Sequence, residues 1–245
     1  MGMFDWFFQS EMARLEDNLT NMYVQESERK YAIQQLREMA SEEAVDVLIK
    51  RFGETAPNTT VDIEEKEYVY DVLVELGKET DLEVADKVID HLRETEEKIN
   101  WPMKVVKDLL DYDEMNDLIC ELLGDDDREY MSNPEKKQEL MLQASELQSR
   151  ELAEKLVPYL EDSNETIRFL AVDAVENQDY PSIIEEPLRE RLAEEHSLRV
   201  VKKVAEIFSE HSDWKIPEDE QADVEQALPE EYGIHKEGHI YQRRI

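Results

Sequence analysis

The sequence predicts an all-α fold, an α-α superhelix of about five to six stacked helical hairpins, and three observations predict it. Leu156–Val175 and Ser197–Phe208 repeat one pattern: each opens an amphipathic helix with an apolar residue followed by arginine, and Arg168 and Arg199 stand 31 positions apart. A period of that size belongs to stacked hairpins rather than to one globular core. Apolar residues also recur at i, i+3, i+4 and i+7 over most of the chain, the spacing of a helix with one buried face. Finally, Gly (6) and Pro (8) are scarce, no stretch sustains strand-like alternation, and no hairpin dipeptide joins two apolar runs.

Residues 1–27 are read as an N-terminal capping segment, 28–211 as the helical array and 212–245 as an irregular acidic tail. At the start, Phe4, Phe7 and Phe8 can share one helical face, with Trp6 nearby and Met12 four positions after Phe8. Two readings of these aromatics stay open: a cap over the first repeat, which a solenoid end requires, or a docking patch for a partner. The first pair follows with Ala32, Ile33, Leu36 and Met39, then Ala44, Val45, Leu48, Ile49 and Phe52, stopping at Gly53. The second uses Val69, Val72, Leu73 and Leu76, with Gly77 as its expected stop, and then Leu82, Ala85, Val88, Ile89 and Leu92.

Asn100 is the expected cap of the third pair, with Pro102 tolerated in the first turn. Val106, Leu109 and Leu110, then Met115, Leu118, Ile119 and Leu122, form its stripes, and Gly124 ends it. Ser132-Asn133-Pro134-Glu135 starts the fourth, which carries Leu140, Ala144, Leu147, Leu152, Leu156 and Leu160. The fifth runs from Ile167 to Val175 and from Ile183 to Leu192, where Pro187 should kink the helix or mark its true start. The sixth, with Val201, Val204, Ala205 and Phe208, is incomplete. Beyond Ser212 a short helix over 218–228 precedes an extended tail docked by Ile234, Ile240 and Tyr241.

Sixty-two acidic against 28 basic residues give a formal charge of −34. Such a surface repels phosphate backbones and anionic membranes, which speaks against nucleic-acid binding. Basic proteins or peptides remain open as partners through electrostatic steering, and the same charge suits solubility or a saline habitat. The single cysteine, Cys120, lies within an apolar run and reads as a small buried hydrophobe. No run of about 18 apolar residues predicts a transmembrane span, and residues 1–8 lack the basic region and cleavage site of a signal peptide, so the expected compartment is cytoplasmic.

Leu156–Val175 resembles a HEAT repeat, of the type also found in the phycobilisome-lyase-like HEAT group. A helix ending in Leu156-x-x-x-Leu160, an acidic turn, Ile167-Arg168, and then small Ala171 and Ala174 carry the match. Ser197–Phe208 is similar to the opening half of another unit, and residues 28–52 to a third. Between residues 60 and 150 the helix pairing persists without the arginine signature. The resemblance implies that Arg29, Arg168 and Arg199 each pair with an acidic group in the adjacent turn. It also implies that second helices line the binding side, making Asp46, Lys50, Asp86, Asp90, Asp117 and Glu121 candidate partner-binding positions alongside Phe4, Trp6, Phe7 and Phe8.

No catalytic set emerges. Deoxyhypusine hydroxylases resemble this architecture but use repeated His-Glu pairs, whereas this chain has Glu195-His196 and Glu210-His211 in reverse order. His235 and His239 have the four-residue metal spacing, yet Gly233 and Gly238 oppose a helix there. Asp125-Asp126-Asp127 lacks the spacing of a calcium loop, and no nucleophile elbow or phosphate-binding glycine loop exists. HEAT-like DNA glycosylases need a basic groove that this charge balance denies, although Trp101 and Trp214 are present, and phycobilin lyases bind an anionic pigment while only 13 arginines are spread along this chain. The expectation is a scaffold, not an enzyme, that binds a protein or peptide without cofactor or metal. The alternative is a lyase or chaperone-lyase acting on a bound prosthetic group or modified protein.

Overall fold

The computed structural model describes residues 3–96, 98–124 and 133–243, with side chains from residue 9 onward. The side chains of Phe4, Trp6, Phe7 and Phe8 lie outside the described set, as does Asp125-Asp126-Asp127. The chain divides into two compact units, Met1–Met115 and Asn116–Ile245.

In the first unit α1 (Met3–Thr20) lies against α2 (Glu26–Met39) and α3 (Glu42–Lys50), burying Met12, Leu15 and Leu19. After the 3-10 turn Arg51–Gly53 come α4 (Thr59–Glu79), α5 (Val84–Glu94) and α6 (Asn100–Leu109), and α7 (Tyr112–Leu123) crosses the division between units. Helices α2, α4 and α6 pack in sequence as one layer, and α3 on α5 forms the second. The predicted stripes are the contact faces: Ala32, Ile33, Leu36, Val69, Leu73, Val88 and Leu92 are wholly buried. Removing each larger aliphatic side chain from water contributes roughly 1.5–3 kcal/mol. Ser41 and Asn58 cap α3 and α4 by accepting from the amides of Ala44 and Thr60, contacts typically worth about 1 kcal/mol each.

The second unit continues the pairing with α8 (Pro134–Ala144), α9 (Arg150–Leu156) running into the 3-10 segment Val157–Glu161, α10 (Glu165–Glu176), α11 (Pro181–Glu194) and α12 (Leu198–Glu210). Helix α10 packs between α8 and α12, while α11 contacts the 3-10 segment and α9. A buried glutamine binds the inner turns together. The Gln178 amide donates to the carbonyls of Leu147 and Ala174, and its oxygen accepts from the Ser149 amide. Asn133, Ser149 and Asn164 cap α8, α9 and α10.

Several expectations are corrected. Gly77 does not stop α4, which continues to Glu79; a Cβ there would sit 2.9 Å from the Leu109 methyl groups, so the glycine permits close approach of α6. Asn100 is the first residue of α6 rather than its cap, and Ile99 at the cap position contributes no side-chain bond. Pro187 lies inside α11, whose first residue is Pro181. The short helix expected over 218–228 is present as α13 (Gln221–Ala227), which packs on α11, but the residues after it are not an extended tail. Strands β1 (Tyr232–Ile234) and β2 (Ile240–Gln242) then pair antiparallel, with Gly233 opposite Tyr241. Strand β2 packs on α12, and Lys202 of α12 holds Glu231 at 2.7 Å. Gly238, at φ 90°, makes the hairpin turn, and a Cβ there would come within 2.4 Å of the Ile216 carbonyl oxygen.

Candidate interaction surface

Two of the three predicted arginine joints form as ion pairs. Arg29, in the first turn of α2, donates through Nε to both carboxylate oxygens of Glu65 on α4 at 3.0 Å, and through Nη1 to the Val24 carbonyl. Arg51 meets the same carboxylate, its Nη2 lying 2.9 Å from Glu65 and 2.8 Å from Asp62, while Lys66 holds the other Asp62 oxygen at 3.1 Å. Arg51 and Glu65 are wholly buried. Arg51, Asp62 and Glu65 carry no motif in the sequence. Their signal is only that the joint arginine needs a carboxylate from the following repeat.

In the second unit Arg168 occupies the same fourth position of its helix. It grips Glu195 through Nε at 2.7 Å and Nη2 at 2.9 Å, and its Nη1 donates to the Asp162 carbonyl. Glu195 also accepts the amides of His196 and Ser197 at 2.8 Å, satisfying donors at the start of α12. Arg199 departs from the pattern. Its guanidinium stacks 3.6 Å from the Phe169 ring centroid.

Burial alone would raise the Glu195 carboxyl, but the hydrogen bonds from Arg168 and from the two backbone amides outweigh it and hold the pKa at about 2. In the unfolded chain the same group titrates near 4.5. The unfolded state therefore binds more protons between these values, and the stabilisation, complete above the higher value, is lost as pH falls toward the lower. Its size is on the order of 3 kcal/mol. Comparing urea unfolding of the native chain and Glu195→Gln at pH 6 and pH 2.5 isolates this from the other carboxylates. The variant is expected to be less stable at pH 6 and nearly equal at pH 2.5, and a gap that persists at low pH would count against the assignment.

Asp46, Lys50, Asp86, Asp90, Asp117 and Glu121 are all exposed. Lys87 on α5 pairs with Asp46 at 2.8 Å and Glu42 at 3.3 Å on α3, Lys50 with Glu16 at 2.6 Å, and Asp90 with Arg93 at 2.8 Å. Exposed pairs of this kind contribute little to stability, so they leave the face free to exchange partners. Between α2 and α4 a cleft of about 370 Å³ holds Arg37, already bound to Glu75 at 2.5 Å. A second, of about 230 Å³, lies between the 3-10 segment Val157–Glu161 and α11.

Trp214 is not on a surface. It is 2% exposed, meets Phe208 edge-on at 5.0 Å and stacks on His211 at 4.1 Å, while its carbonyl accepts from His239 Nδ1 at 3.1 Å. Trp101 is half-buried, with Lys104 Nζ 4.3 Å from its ring. His235 stacks on Tyr241 at 4.2 Å, so the two tail histidines serve different neighbours. Among the described residues, no cluster of three or more His, Cys, Asp or Glu side chains has a metal-holding arrangement.

Cys120 is buried, and burial followed by the nearby charges of Glu151 and Asp117 pushes its thiol up to about 11. The reactive thiolate is correspondingly scarce at neutral pH. Iodoacetamide should label the native chain at least about a hundredfold more slowly than the urea-unfolded chain; equal rates would refute the buried placement.

No family model matches the chain, and no curated protein matches it. Among solved structures, human deoxyhypusine hydroxylase in complex with glycerol is similar over 91% of this chain and 95% of its own, at 12% identity and a TM-score of 0.35. An engineered protein is similar over 88% of this chain and 61% of its own, at 18% identity and a TM-score of 0.37. Another covers 80% of this chain and 97% of its own, at 19% identity and a TM-score of 0.31. Likeness at this level carries no activity across. The expectation that the chain is not an enzyme is corrected: one fold hosts many activities, so a helical-repeat fold lacking a recognisable catalytic motif is no ground for excluding catalysis.

Proposed function

We propose that this chain holds a protein or peptide partner on the exposed face of its second-layer helices, and that the partner is basic. The observation that carries the reading is the placement of Asp46, Lys50, Asp86 and Asp90, all exposed on the packed pair α3 and α5. The cations beside them, Lys50, Lys87 and Arg93, are paired to neighbouring carboxylates. With a formal charge of −34, the field around the chain draws in basic surfaces and repels nucleic acid. In the second unit, Asp117 and Glu121 of α7 are exposed as well. Residues 1–27 act as a cap, with Leu15 and Leu19 of α1 covering the first pair.

Affinity capture of the full chain from its native host, followed by mass spectrometry, tests the reading when run beside the triple variant D46K/D86K/D90K. A stoichiometric partner held by the native chain and lost from the variant is the expected result. No stoichiometric protein in either capture would overturn it.

A further inference from the structure

We propose that the groove between the 3-10 segment Val157–Glu161 and α11 takes one bulky aliphatic side chain from a lysine- or arginine-rich segment of a protein partner. The inference rests on the partner-binding reading but assigns it a different face element and a specific occupant. The groove is lined by Val157, Pro158, Leu160 and Glu161 on one side and by Pro187, Glu190, Arg191 and Glu194 on the other, so apolar surface lies among carboxylates. Pro158 and Pro187, one from each element, contribute apolar surface with little conformational freedom to lose on binding. Arg191 fixes their spacing: its Nη1 on α11 donates to the Leu160 carbonyl at 3.2 Å.

Size and charge select the occupant. At about 230 Å³ the groove falls short of the roughly 300–1,000 Å³ usual for small-molecule sites, and it suits a single side chain. Glu161, Glu190 and Glu194 stand exposed at its margin. Among the described residues that line it, the one cation is Arg191, whose side chain is only 12% exposed and is engaged with Leu160 and Glu194. Apolar surface set among these carboxylates complements a leucine or isoleucine flanked by basic residues, and it disfavours the same residue flanked by acids.

The test uses fluorescein-labelled peptides and the full chain, read by anisotropy: one leucine between flanking lysines, the same peptide with alanine for leucine, and the leucine peptide with glutamates for lysines. The leucine–lysine peptide should bind about tenfold more tightly than its alanine counterpart. Glu190→Lys, a substitution at an exposed position, should remove most of that binding. Equal affinity for the alanine and leucine peptides would overturn the groove by reducing the effect to general attraction, and so would equal binding of the glutamate-flanked peptide. Hydrogen–deuterium exchange separates this failure from failure of the broader reading. Protection of Val157–Glu161 and α11 by the peptide supports the groove. Protection of α3 and α5 by the peptide, with none on α11, overturns the groove and leaves the partner-binding reading standing.

Discussion

Trp214→Ala should lower the stability of the second unit by about 3–5 kcal/mol, the usual cost of truncating a buried tryptophan. The indole is 2% exposed, and its removal strips Phe208 and His211 of their ring contacts at once. The backbone carbonyl that accepts from His239 survives the substitution, but the packing that positions it does not. The hairpin should therefore come away from α12, and limited proteolysis within 212–243 should cut the variant well before the native chain. Thermal unfolding should fall by roughly 10 °C or more. Trp214→Phe, which keeps an aromatic ring, should recover most of the loss. A melting temperature unchanged by the alanine substitution would show that the tail is not docked through this residue.

Glu65→Gln should be comparably damaging to the first unit, at about 3–5 kcal/mol. The carboxylate serves both Arg29 and Arg51, and neither guanidinium has a route to water to replace it, since the two residues are 4% and 0% exposed. The buried set of Arg29, Arg51 and Lys66 against Asp62 and Glu65 already holds one excess cation. Removing Glu65 alone raises that excess, whereas removing Arg29 with it leaves the excess as before. The double variant Arg29→Met/Glu65→Leu should thus recover much of the stability lost by Glu65→Gln, in keeping with buried pairs that well-packed apolar residues can replace. Urea unfolding of the three chains measures this, and a double variant no more stable than Glu65→Gln would argue against a charge-driven penalty.

What the sequence disclosed and what it hid follow from the range of the forces involved. Ile33, Leu36, Val88 and Leu92 declare themselves because helix periodicity is local and repeats within a few residues. Asn133 and Gly124 declare the ends of helices for the same reason. Glu65 does not, since its partner lies 36 positions away and it is one of 62 acidic residues. Gly77 misleads because glycine both stops helices and lets them approach closely, and only the position of Leu109 decides between the two. The strands β1 and β2 are three residues each, too short for alternation to register. Of the candidate surface, the exposed positions on α3, α5 and α7 follow from helix phase, while the groove beside Pro158 and Pro187 depends on residues from two elements about 30 positions apart and has no local signature.

The hairpin on α12 also bears on how copies of this chain behave in concentrated solution. A stack of similar helical pairs ends in a surface made to receive one more pair, and a surface of that kind on one copy can accept the end of the next. Because such head-to-tail contacts do not close on themselves, they grow into filaments. Strand β2 packs on α12 within the same molecule, and Lys202 of α12 pairs with Glu231 just before β1. Detaching it would expose that face of α12 to the end of another copy.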